Sequence, residues 1–249
     1  MTEIVALLLP GVAWELFAGM AVMVFAAALL QGIGGVGFAM VSAPISVLLF
    51  PSLVPGPLLV LGAALAVLGA TRERHAINWR SFGALTTGRI GGTLVAGAVL
   101  YVLTAQAFSV VFALLILAGV GFSLGGWKIK TSTPTMIVTG VASGLMGTIT
   151  SSGAPPVAIA MQHVPPAELR ATVSAFFVVG ALFSLAMLAV VGRFGAHELR
   201  LGLVLLPAMA AGFLASSPLN RVVSRGMIRI GLLTLSTLGA IAVLAKAVV

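Results

Sequence analysis

The chain has 249 residues, 60% of them hydrophobic and only 7% charged, where soluble domains carry about 25% charged residues. That much apolar surface cannot be hidden in a water-soluble globule, so the solvent of this chain is lipid. Its net charge of +8 would point to nucleic acid in a soluble domain. Here the cations sit in short clusters between apolar runs, the pattern of cytoplasmic membrane loops, and nucleic-acid binding is excluded.

The absence of cysteine removes disulfides, thiolate metal sites and cysteine nucleophiles, and neither a metal nor a cofactor is expected. Met1 to Pro10 carries Glu3 and no cation, so it does not read as a signal peptide.

In chain order, the first apolar segment runs from about Val12 to Phe50 and is broken at Gly32 to Gly37. Apolar runs follow at Pro57–Thr71, Ser81–Thr104 and Phe108–Trp127. The pattern then restarts with a broken segment at Thr135–His163 and runs at Glu168–Val191, Leu199–Leu219 and Met227–Val248. A broken segment plus three spans, twice, is the sequence signature of many transporters. The expected fold is an all-α polytopic membrane protein of two inverted repeats, 1–130 and 131–249. Each repeat would be a re-entrant helical hairpin (12–50 and 135–163) followed by three transmembrane helices.

Orientation follows from Lys and Arg. The loop from Arg72 to Arg80, the pair Lys128 and Lys130, and the loop from Arg221 to Arg225 belong on the cytoplasmic side. Between Lys130 and Arg221 lie one broken segment and two spans, so parity requires that segment to return to the side it entered. The mildly basic loop from Arg193 to Arg200 is the one violation. From Pro155 to His163 is about nine residues, or roughly 14 Å of helix, reaching only the middle of a roughly 30 Å core. Pro155 and Pro156 suit a first helical turn, and Ser151 and Ser152 are natural N-cap residues. Trp14, Trp79 and Trp127 fall near segment ends, as interfacial anchors should.

The two breaks are where chemistry is expected. Non-helical backbone at membrane depth survives only where it lines a polar cavity or is buried in protein. Two helix N-termini meeting there would present N–H donors and partial positive charge to an anion. The candidate binding residues are Gln31, Gly34, Gly35 and Gly37 at the first break, and Thr148, Thr150, Ser151, Ser152 and Gly153 at the second. Arg89 is the further candidate. It lies about eight residues into an apolar span, where a cation is costly and functional by default; the alternative is snorkelling to the surface. Gly91, Gly92 and Gly97 are read as helix packing. Glu15 reads as interfacial, Glu168 as a favourable first-turn carboxylate, and His163 as a loop residue.

At these positions the chain resembles a known family. Gln31-Gly32-Ile33-Gly34-Gly35-Val36-Gly37-Phe38-Ala39 with Pro44, and Thr150-Ser151-Ser152-Gly153-Ala154-Pro155-Pro156 followed by Pro165 to Thr172, are similar to the first- and second-half motifs of the TauE/SafE sulfite exporter family. The basic loop ending in Asn78-Trp79 adds to the likeness, which covers essentially the whole chain. Ala154 stands where relatives often have glycine.

The resemblance implies export of a small sulfur-containing oxyanion, sulfite or an organosulfonate, across the inner membrane. Thiosulfate uptake, or an anion channel, is the alternative. The expected partners are the anion and membrane lipid, and a homodimer is left open. Ser151 or Ser152 with His163 could form a hydrolase pair, but no orienting carboxylate lies near in sequence, so no enzyme is expected.

Overall fold

The computed structural model describes residues 12–34, 37–125, 129–219 and 225–248. Among them there are helices, two short 3-10 turns and no strand. In chain order the helices are α1 (Trp14–Gly34), α2 (Phe38–Leu49), α3 (Gly56–Arg72), α4 (Trp79–Val102), α5 (Ala105–Leu124), α6 (Thr133–Thr150), α7 (Ala154–Ala160), α8 (Pro166–Val190), α9 (Ala196–Val204), α10 (Leu206–Leu219) and α11 (Arg225–Val248). Six are long and apolar enough to cross a membrane: α1, α4, α5, α8, α9 with α10 taken as one, and α11. The chain is thus an all-α, multi-pass membrane protein. The run predicted at Pro57–Thr71 is α3, which with 17 residues is about 25 Å long and shorter than the other spans. Gly35, Trp127, Lys128 and Arg221 lie outside the described residues.

The helix starts follow from local chemistry. Asn78 Oδ1 accepts from Ser81 N at the start of α4 and Ser132 Oγ from Thr135 N at the start of α6, each satisfying an orphan N–H of a first turn. The surface differs from that of a soluble protein. Val22, Leu94, Tyr101, Val190 and Leu214 are exposed, whereas Thr93, Ser143, Thr148, Ser184 and Arg89 are buried. The lipid-facing surface is apolar and part of the interior is polar, as expected where each buried polar group must find a partner inside the protein.

α4 and α6 lie in backbone contact. A Cβ added at Gly88 would strike the carbonyl of Ile137, one at Gly92 that of Val141, and one at Gly140 that of Leu85. Gly88 and Gly92 stand four apart on α4, and Gly140 and Gly144 on α6, the spacing that lets membrane helices approach most closely. Gly88 meets residues 137–141 and Gly92 meets 141–145, so the two helices run parallel. α8 runs parallel to them as well. At its start Thr172 accepts from Asn78 N and Glu168 from Asn78 Nδ2, while further along Gly97 packs on Met187. α7 comes back toward the start of α6, where Thr131 Oγ1 donates to Ala160 O at 3.1 Å. The α6–α7 segment is therefore a hairpin that returns to the end it left.

The packing partners repeat when the two halves are exchanged. α4 packs along α6 as α10 packs along α1; α2 lies on α11 as α7 lies on α5; α3 pairs with α8, and α5 with α11. At the far end of α4, Arg193 donates to Leu100 O and Leu103 O. Its charge satisfies the last carbonyls of that helix, which gives the unexpectedly basic loop after α8 a structural use.

Candidate functional site

The site is built around Arg89, about 15 Å along α4 and so close to its middle. The side chain is 2% exposed and reaches across to two neighbouring helices instead of running to the surface. Nη1 donates to Ser143 Oγ at 3.1 Å and to Ser143 O at 3.3 Å on α6. Nη2 donates to Ser184 Oγ at 3.2 Å on α8. The guanidinium lies over the rings of Phe176 and Phe177, 5.2 and 5.8 Å from their centroids, a cation–π arrangement worth about 2 kcal/mol when desolvated. Nε is buried with no hydrogen-bond partner. The ion pair of Arg170 with Glu73 is elsewhere, and the hydrogen-bond partners of Arg89 are serines alone. The cation is therefore held by neutral groups alone, a costly state in the absence of a counter-charge.

Glycines make the room. A Cβ at Gly180 would fall 2.5 Å from Arg89 Cδ and closer still to Nε, and one at Gly147 or Gly153 would press on the guanidinium nitrogens at 3.0–3.1 Å. Gly180→Ala is therefore expected to push the guanidinium off Ser184 and to cut transport about tenfold in proteoliposomes, at a cost in fold stability below about 3 kcal/mol. Unchanged flux would show that the placement of the guanidinium does not matter.

A chain of hydroxyls continues from Arg89. Thr148 and Ser184 share a hydrogen bond at 2.8 Å, and Thr148 Oγ1 donates to Thr93 Oγ1 at 3.3 Å. Ser143 Oγ donates to Gly153 O at 2.7 Å, which sets the start of α7 level with Ser143 and hence with the middle of α4.

The other predicted residues are placed as follows. Thr150 Oγ1 donates to Met146 O and accepts from Ser152 N. Ser151 is the left-handed residue that ends α6, with φ 61°, and its Oγ donates to Pro55 O at 2.9 Å. The N-cap of α7 is Gly153, without a side-chain cap. The expected serine caps are thus not formed, because Ser151 is spent on closing the turn and Ser152 points elsewhere. Pro155 and Pro156 do occupy the first turn of α7, and since proline has no N–H, that turn offers fewer donors than an ordinary helix start. At the first break, Gln31 Oε1 accepts from Phe38 N at 3.0 Å and so caps α2. Gly34 is the last residue of α1. Gly37 takes φ 140°, a conformation glycine adopts freely.

Ser152 and Pro155 face Met40 of α2, Ile116 of α5 and Ser236 of α11 across a cavity of about 10 Å³, room for one water at most. The second hairpin thus meets the first half across a narrow junction. His163 is exposed.

Sequence reasoning missed Thr93, Ser143, Ser184, Phe176, Phe177 and Gly180. One signal could have found three of these. On α8, Phe176, Gly180 and Ser184 recur four apart and share a face, and Gly180 and Ser184 break an otherwise bulky apolar helix there.

These features define a multi-pass membrane protein whose interior holds a cation without a carboxylate partner. The chain belongs to the Sulfite exporter TauE/SafE family, which it matches over residues 20–243. No curated protein and no solved structure matches it.

Proposed function

We propose that the protein exports a small sulfur oxyanion, sulfite or an organosulfonate, across the cytoplasmic membrane, with Arg89 as the anion's partner halfway through the lipid. The observation that carries this reading is the buried guanidinium with a free Nε and no carboxylate. An anion would supply the missing charge, and Arg suits an oxyanion because its fork donates in a plane. The hydroxyls of Ser143, Ser184 and Thr148 would complete the coordination. The helix starts take a lesser part, since Gln31 already caps α2 and two prolines strip α7 of donors.

Two inverted repeats fit the exchange of packing partners between the halves. The end of the bundle that carries Arg74, Arg80 and Arg170 is the cytoplasmic one by the bias of positive charge. The narrow junction at Ser152 and Met40 fits a state between loading and release. Loading requires α8 or the α6–α7 hairpin to move away from Arg89, which frees the guanidinium from Ser143 and Ser184.

Outward movement of an anion needs no coupling ion, because an inside-negative potential contributes about 2.3 kcal/mol per charge per 100 mV. In proteoliposomes loaded with sulfite, a potential of that size is expected to sustain a roughly fifty-fold gradient at equilibrium. Sulfite efflux indifferent to imposed voltage would overturn electrogenic export.

A further inference from the structure

Taking Arg89 as the substrate's partner, we infer that the protein moves singly charged sulfur oxyanions, such as hydrogensulfite and simple alkanesulfonates, and rejects dianions such as sulfate and thiosulfate. Among the side chains whose burial is described, Arg89 is the one buried charged group; the other buried polar side chains are serines and threonines. A monoanion against one guanidinium leaves the site neutral. A dianion leaves one uncompensated negative charge in a medium of low dielectric, at a cost of several kcal/mol. Nothing within the site offsets that cost, because the remaining groups are neutral and the wall beside the cation is the paired rings of Phe176 and Phe177.

The hydroxyl chain points the same way. Each of Thr93, Thr148 and Ser184 can donate and accept, and in the Thr148–Ser184 bond either oxygen can be the donor. Such groups accept a hydrogen bond from a hydrogensulfite as readily as they donate to its oxygens. A site lined by N–H groups alone could only donate and would favour the fully deprotonated ion. The same two rings offer apolar surface to the carbon substituent of a sulfonate.

The test uses the full-length protein in proteoliposomes and measures labelled sulfite flux on both sides of the near-neutral titration of sulfite. Methanesulfonate, singly charged throughout, and the dianions sulfate and thiosulfate are added as competitors. Sulfite flux is expected to fall about tenfold per pH unit on the alkaline side, following its monoanion. Methanesulfonate should compete equally on both sides, and the dianions at least about a hundredfold more weakly. Dianions that compete as well as methanesulfonate, or sulfite flux that rises with pH, would overturn the inference.

Repeating the panel with Arg89→Gln separates the charge-state selection from the Arg89 site itself. Dianion flux that depends on Arg89 sinks the charge-state inference and leaves the Arg89 site standing. Flux of every anion unchanged in the variant removes the site and the inference with it.

Discussion

Arg89→Gln is expected to lower sulfite flux in proteoliposomes at least about a hundredfold while leaving the protein folded. Loss of two charge-assisted hydrogen bonds to a bound oxyanion, at about 1.5–3 kcal/mol each, accounts for a drop of that size. The fold survives for a specific reason. Removing one member of a buried ion pair costs about 3–5 kcal/mol because it strands the other charge. Here no charge is stranded, because Arg89 has only Ser143, Ser184 and two aromatic rings as partners. The shorter amide of glutamine removes the desolvated charge and can still donate to one of the serines. The melting temperature in detergent should therefore stay the same or rise. Arg89→Lys keeps a point charge but loses the planar fork, and intermediate flux is expected. Full flux in Arg89→Gln would show that the buried cation is structural; an unfolded variant would show that the serine contacts hold the bundle together.

Much of the architecture was legible because lipid leaves a plain mark. The apolar runs fall on helices, and both breaks fall at helix boundaries, where Gly37 and Ser151 adopt positive φ. Arg89 could be singled out from the sequence because a lone charge in a long apolar run has few explanations. Its partners could not. In a soluble helix the buried face is the apolar one, so periodicity reveals it. In α4, α6 and α8 both the lipid face and much of the packed face are apolar, and that periodicity fades. Which serine or threonine turns inward is then set by pairing between residues far apart in sequence, such as Arg89 with Ser143 and Ser184 or Thr148 with Thr93. The same blindness affected the second break. Ser151 and Ser152 are good caps by type, but the turn needed one of them in the left-handed region, and the cap position passed to Gly153.

The second large effect concerns two neighbouring glycines that sequence alone treats alike. Gly91→Ala and Gly92→Ala make the same change one residue apart in α4. In a helix interior alanine is favoured over glycine by about 1 kcal/mol, so propensity predicts stabilisation at both. At Gly91 a Cβ would meet nothing within 4 Å, and the melting temperature is expected to hold or rise. At Gly92 the Cβ would press on the backbone of α6, 2.9 Å from Val141 C and 3.0 Å from Leu145 N, and closer still to Val141 O. Backbone cannot rotate away as a side chain can, so α4 and α6 must separate. That movement unseats the neighbouring contacts at Gly88, Gly140 and Gly144 along the same line, and the loss should reach about 3 kcal/mol, the upper end for overpacking. Since Arg89 lies between these glycines and reaches Ser143 across this contact, flux should fall together with stability in Gly92→Ala and stay intact in Gly91→Ala. Equal melting temperatures for the two variants would mean that α4 and α6 are not in backbone contact, and the geometry that aims the guanidinium at Ser143 would fall with it.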